Sequence, residues 1–484
     1  MKPEDEKMEV NQTAETVENN GTAATSSVEE QVADATTQEG VKEEQSDVAV
    51  ENEENYFAER EPDKRRKRIR RKDMTPEQRR RRRITDLIIT GTVFGVVLLF
   101  FAICALCSFV GYTGNFDYIA TIQAVDYDSP YELGYDEELG YYTFTATDDS
   151  DFRVLQLTDI HIGAGAFSAK KDRWAIEAVS TVVSRVKPDL VIVTGDIAYP
   201  VPFQAGTFNN MREAEMFATM MEQLGVYWTI AFGNHDTEIY SLYDRKDISD
   251  FYSQDKWEHC LFRSGPENLP GFGNDMIVVK DKAGKVIQSL VTIDSHSYTD
   301  GDYFGIAWRY DNIKQEQIDW YAQEVDKLTE YNVAKGFTEN PEVKNLVFFH
   351  IALTEYGKYW DEYKNNGHND TDTVHYLYGK AGESGEKSFP GVDDCMLFET
   401  MLEHNGQGTF CGHDHYNTYA IEITAENGKK IRLTYGMSID YLAYVGIADK
   451  IEQRGGTEIK ISQADGSFVA RHRPYVEETV SEWY

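Results

Sequence analysis

The sequence predicts an α/β domain. A mostly parallel sheet carries helices over it, gains antiparallel strands, and packs on a second sheet. Three observations support this. Between Phe152 and Gly233, apolar runs rich in β-branched residues alternate with stretches of helical spacing, a βαβαβ rhythm that gives right-handed crossovers and parallel strands. Five strand-like runs each stop at a residue able to hold a metal. Beyond His415, strand-like runs follow one another through short turns, as antiparallel pairs do.

Taken in order, residues 1–63 are rich in Glu, Asp, Thr, Asn and Gln and nearly free of aromatic residues. Such a segment cannot bury enough apolar surface to offset its ordering entropy, so it reads as a disordered acidic tail. Residues 64–86 form a basic segment, with thirteen Lys/Arg between Lys64 and Arg83. Leu87–Val110 carries no charge, and as a helix its 24 residues would span about 36 Å, enough to cross a bilayer core. The basic cluster precedes it and acids (Asp117, Asp126, Asp128, Glu132) follow. The expectation is a single-pass, uncleaved signal-anchor with the N-terminus cytoplasmic and the remainder extracellular. A cleaved leader fits poorly, because the apolar run is long and starts far from Met1. Residues 111–150 read as a stalk and first strands, and 151–484 as the main domain.

Phe152–Thr158 reads as a strand, Asp172–Val186 as an amphipathic helix broken by Pro188, Leu190–Asp196 as a buried strand, and Met211–Leu224 as a helix. Met276–Asp281 and Lys285–Ile293 read as a hairpin. Asn312–Leu328 and Val392–His404 read as helices, with Leu353–Pro390 a long loop shaping substrate access. Thr418–Thr424 and Lys430–Tyr435 form one antiparallel pair, Thr457–Ser462 and Phe468–Arg473 another.

Net charge is -35, which argues against general nucleic-acid binding. The five cysteines show no disulfide framework; a single Cys260–Cys395 bridge is left open.

The chemistry lies where the five runs end, at Asp159 and His161, at Asp196, at Asn234, His235 and Asp236, at His350, and at His413, Asp414 and His415. Parallel strands place their C-terminal ends along one edge, where ligands bind. Asp, His and Asn together suit Mn, Fe or Zn. Two such ions can hold a phosphate ester and lower the pKa of a bridging water. His296 and Asp294 also follow a strand; for both, structural and functional roles are evenly balanced. His259, His368 and His404 read as ordinary histidines. Trp308, Tyr310 and Cys411 read as packing residues.

Asp159-Ile-His161, Gly195-Asp196, Gly233-Asn234-His235-Asp236, His350 and Gly412-His413-Asp414-His415 resemble the signature of the calcineurin-like metallophosphoesterases, over roughly residues 150–450. The resemblance implies a four-layer αββα sandwich of two mixed sheets flanked by helices. It implies that Asp159, His161 and His415 bind a first metal, that Asp196 bridges, and that Asn234, His350 and His413 bind a second. His235 would serve as general acid or phosphate stabiliser, oriented by Asp236. Gly195-Asp196-Ile-Ala-Tyr199 is similar to the GDxxY motif of purple acid phosphatases, but His161 stands where those enzymes carry Gly, so Tyr199 reads as a packing residue rather than a ligand. The implied activity is hydrolysis of phosphate monoesters by a metal-bridging hydroxide. The alternatives are a phosphodiesterase acting on nucleotides or lipid headgroups, and a non-catalytic surface scaffold.

Overall fold

A computed structural model describes residues 70–444 and 454–476. The expected tail (1–63) and the start of the basic segment lie outside the described residues.

Helix α1 (Pro76–Ile119) contains the whole apolar run and continues past it. Leu87, Phe94, Leu99 and Phe109 are exposed, whereas Ser108, Asn115 and Ile119 are buried against the domain. Its end lies close to its neighbour because of Gly111, where a Cβ would come within 2.5 Å of the Ala169 Cβ. The expected stalk therefore begins as helix, since no proline follows Val110 before Pro130 and the close packing at Gly111 compensates for its low helix propensity. It goes on into a hairpin of β1 (Tyr131–Asp136) and β2 (Tyr141–Ala146).

The βαβαβ rhythm is present as β3 (Phe152–Leu157), α2 (Ala169–Val186), β4 (Leu190–Thr194), α3 (Asn210–Leu224) and β5 (Trp228–Ala231). α4 (Arg245–Tyr252) follows, unforeseen from the sequence and capped by Asp244. β6 (Asp275–Lys280) and β7 (Val286–Thr292) make the expected hairpin. Next come α5 (Gln315–Ala334), β8 (Lys344–Phe348), α6 (Thr354–Asn365), β9 (Val374–Tyr378), α7 (Leu397–Glu403) and β10 (Gly406–Cys411). β11 (Ala420–Thr424), β12 (Lys430–Tyr435), β13 (Gly455–Ile461) and β14 (Phe468–Pro474) complete the described chain.

Two expectations are corrected. Leu353–Pro390 is not one long loop, because it contains α6 and β9. Tyr356, Trp360 and Tyr363 lie on one helical face and are buried, an apolar stripe hidden by its polar neighbours. The open Cys260–Cys395 pairing is not made, and both thiols are free.

The strands form two mixed sheets. The nine-stranded sheet runs β1-β2-β6-β7-β8-β10-β12-β11-β9, and the five-stranded sheet β14-β13-β3-β4-β5. Side chains alternate across β4. Leu190 and Ile192 join Phe348, Phe410 and Ile459 in a core between the sheets. Val191 and Val193 face outward onto α2 and α3. On the far side, α5, α6 and α7 cover the nine-stranded sheet through Tyr321, Tyr356 and Met401. Helix, sheet, sheet, helix is thus the layer order, as the resemblance implied.

β3, β4 and β5 are mutually parallel, as are β8, β10 and β12. The two sets end at a shared edge, where Gln156 Nε2 crosses between the sheets to donate to Cys411 O at 3.0 Å.

Candidate metal centre

Every expected ligand residue leaves the C-terminal end of one of those strands, and the fold gathers them. One ligand atom each from Asp159, His161, Asp196 and His415 lies within 4.8 Å of the others, and the same holds for Asp196, His350 and His413. Asp196 belongs to both groups. Its Oδ2 stands 3.3 Å from His161 Nε2 and 3.1 Å from His350 Nε2, while Oδ1 accepts from the His235 amide at 2.8 Å. Asn234 Oδ1 lies 3.1 Å from His350 Nε2 and 3.0 Å from His413 Nδ1, which places it in the second group.

The backbone is bent to achieve this. Asp159, His161, Asp196 and His413 all have positive φ, between 49° and 75°, a region that non-glycine residues occupy at a cost and that clusters at functional sites. Glycine is required beside them: a Cβ on Gly412 would come within 1.8 Å of Thr158 Oγ1, and one on Gly233 within 2.2 Å of Asp196 Oδ1.

The donor set fits two cations. His350 Nδ1 lies 2.7 Å from Thr194 O; a carbonyl only accepts, so Nδ1 carries the proton. In neutral His350, Nε2 then turns a lone pair toward Asp196 Oδ2 and Asn234 Oδ1. Converging lone pairs in a buried space need positive charge between them. The carboxylates create the same demand. Burial opposes charging His161, yet Asp440 and Asp196 push its pKa up to about 10. Burial likewise opposes charging His350, and Asp196 lifts it to about 9. Asp196 is buried too, but the imidazoles of His350, His235 and His161 hold its carboxyl well below the usual range.

Sequence reasoning missed three residues around this cluster. Asp440 lies 3.2 Å from His161 Nδ1 and 3.0 Å from His415 Nδ1, and it accepts from the amides of Leu442, Ala443 and Tyr444. One carboxylate thus orients both imidazoles of the first group. Its signal was present, since Asp440 follows β12 at the ligand edge. Glu238 is the second. His235 Nδ1 lies 2.6 Å from Glu238 Oε1. The expectation that Asp236 orients His235 is corrected: the Asp236 carboxylate is occupied by the amides of Gly233, Asp196 and Ala198. Tyr298 is the third. It accepts from Asn234 Nδ2 and donates to Glu238 Oε1, each at 3.0 Å, which turns Asn234 Oδ1 toward the ligands.

The remaining candidates contribute no atom to the ligand groups. Tyr199 OH donates to Gln204 Oε1 at 2.8 Å, and its ring packs on His161 and His235. His296 pairs with Gln317, and Asp294 with Arg245 and the Phe272 amide. Cys411 is buried in β10.

A cavity of about 190 Å³ opens over the cluster, its floor formed by Asp196, His235, His413 and His415. Trp308, Tyr310, Phe389 and Tyr444 supply walls, so Trp308 and Tyr310, read as packing residues, do line it. The Tyr310 ring meets that of His413 edge-on at 4.1 Å between centroids. The larger hollow at Trp257–Arg263 holds none of the ligand residues.

The profile of calcineurin-like phosphoesterases matches residues 152–417. Among curated relatives, the Arabidopsis thaliana protein "Probable inactive purple acid phosphatase 14" is 25% identical over 63% of this chain and 74% of its own. "Phosphatase DCR2" of Saccharomyces cerevisiae is 24% identical over 67% of this chain and 53% of its own. Among solved structures, a dimetal phosphatase from Danio rerio aligns over 68% of this chain and 98% of its own, at 9% identity and a TM-score of 0.39.

Proposed function

The chain belongs to the calcineurin-like phosphoesterase family, and from that premise we propose that it is a membrane-anchored, metal-dependent phosphomonoesterase. The sharing of Asp196 between two ligand groups is the observation that carries this reading. Asp159, His161 and His415 would hold one ion with Asp196, and Asn234, His350 and His413 the other. When bound, the ions supply positive charge against the phosphate and lower the pKa of water.

The chain's own residues do the rest. Glu238 accepts from His235 Nδ1 and so fixes the ring and its tautomer. Nε2 is left facing the cavity; in the imidazolium form, paired with the Glu238 carboxylate through Nδ1–H, its N–H can give a proton to the departing ester oxygen and leave the neutral ring. Tyr298 couples this pair to Asn234, so acid and ligand are set by one network. Trp308, Tyr310, Phe389 and Tyr444 wall the cavity beside these groups. Relatives that carry the word "inactive" in their names favour the scaffold reading, whereas the full ligand set of this chain favours catalysis.

The apolar part of α1 is long enough to cross a membrane. We place its basic flank in the cytoplasm and the catalytic domain outside, as the charge asymmetry favours.

Two measurements test the reading on the purified full chain in detergent. Elemental analysis should find two transition-metal ions per chain. An aryl phosphate monoester should be cleaved in preference to the corresponding bis-ester. Preference for the bis-ester would make the protein a phosphodiesterase. Two bound ions without cleavage of either ester would make it a scaffold.

A further inference from the structure

Where α1 enters the domain determines which face meets the membrane. Its last turns run alongside α3 in the same direction. Ser108 accepts from Arg212, Tyr112 donates to Glu215, and Ile122 accepts from Gln223 at 2.8 Å. α2 gives the same alignment, since Asn115 bonds to Ala169 O at its start while Asp126 accepts from Lys187 at its end. α2 and α3 begin at the C-terminal ends of β3 and β4, which is the edge that carries the ligands. α1 therefore enters at the ligand edge, and its turns from Leu87 to Cys107 project beyond it. Leu87–Cys107 would extend about 30 Å outward from that edge at 1.5 Å per residue.

The loops of this edge are unusual for a chain of net charge -35. Tyr199–Asn209, Ile239–Tyr243 and Tyr303–Trp308 contain no charged residue. Phe203 is 93% exposed, Ile306 82% and Leu242 65%. The first two of these loops lie next to the point where α1 meets α2. Phe167 N donates to Ala205 O, two residues before the Ala169 that meets Gly111. Leu242 N donates to Phe208 O, tying the first two loops together. Exposed aromatic and aliphatic tips without charge suit the boundary between headgroups and acyl chains.

We infer that the catalytic edge faces the bilayer that α1 crosses, with Phe203, Phe208, Ile239, Leu242 and Ile306 seated in its surface, and that the substrate is a lipid phosphate monoester of that membrane. This rests on the phosphomonoesterase reading above and deepens it. A cavity of about 190 Å³ holds a headgroup and leaves the acyl chains in the bilayer. Hydrolysis breaks the P–O bond to the lipid hydroxyl, adds the oxygen of water to phosphorus, and returns a proton to the lipid oxygen. The products are a lipid alcohol and inorganic phosphate.

The test uses the metal-loaded full chain in phosphatidylcholine vesicles containing phosphatidic acid. A fluorophore is attached at Phe203→Cys or, at the opposite end of the sheet, at Val469→Cys, and the signal from native thiols is subtracted using unsubstituted protein. Nitroxide-bearing lipid should quench the first label and spare the second; quenching of neither, or of both alike, overturns the docking. The double variant Phe203→Glu/Leu242→Glu should cleave phosphatidic acid at least tenfold more slowly while hydrolysing a soluble aryl monoester at the unsubstituted rate. Equal effects on both substrates, or on neither, overturn the lipid assignment. Should the unsubstituted chain cleave neither substrate, the phosphomonoesterase reading and the lipid assignment fall together, and the quenching alone decides the docking.

Discussion

The two ligand groups share one carboxylate and differ in almost everything else. The first is the more acidic, and it meets the cavity at His415. Asp159, His161 and His415 are buried, and Asp440 holds both imidazoles from behind. The second is less charged and reaches the cavity through His413, its one half-buried member. Asn234 contributes a neutral amide, His350 is held by a backbone carbonyl, and His413 borders the cavity against Tyr310. A site with two carboxylates and a third behind them is built to retain its cation. A site with an amide and a solvent-facing imidazole is built to exchange its own and to meet substrate.

The severest way to break this contrast is Asp196→Ala, which removes the shared oxygen. Both ions should be lost on elemental analysis, and aryl monoester turnover should fall on the order of 1000-fold. Asp440→Ala should separate the groups. Metal affinity of the first should drop about 10- to 100-fold, with the second retained, as titration calorimetry with Mn or Zn would resolve. Glu238→Gln sharpens the comparison from the other side. It should leave both ions in place and KM unchanged while lowering kcat about tenfold, because His235 loses its orienting partner; an unchanged kcat would return the acid role to another residue.

The gathering of Asp159, His161, Asp196, Asn234, His350, His413 and His415 was legible in the sequence because each follows closely on a short apolar run, so a local pattern reports a distant convergence. Asp440 obeys the same rule after β12, but the intervening Gly-Met-Ser-Ile hid it. Glu238 was obscured by the nearer Asp236, whose carboxylate the turn needs for its own amides. Tyr298 had no local signal, since its role depends on a loop folding back across the site. The fold was readable where strand and helix alternate, and least so between Leu353 and Pro390, where a stripe of Tyr and Trp looked like loop composition.

The smallest effect concerns the seam between the sheets that both groups straddle. His472, on β14 of the five-stranded sheet, is buried, and its Nε2 reaches Thr418 O beside the nine-stranded sheet at 2.6 Å. Burial pushes its pKa down to about 4. The native state thus binds fewer protons there than the unfolded chain, whose histidine titrates near 6.5. Stability from this residue is full above that pH and declines as pH falls toward 4, by up to about 3 kcal/mol. His472→Gln should flatten this part of the acid dependence of urea unfolding. A profile identical to that of the unsubstituted chain would show that the seam is not acid-sensitive at this point.

The left-handed backbone at Asp159, His161, Asp196 and His413 has a consequence for descent as well as for chemistry. Glycine at any of these four places would relax the main chain and discard a cation donor in the same step, so Asp196→Gly should melt at a higher temperature than Asp196→Ala. Backbone strain at these positions pulls against the proposed catalysis. Where turnover is not selected, glycine is the replacement these positions tolerate best, and it leaves a silent copy of the fold.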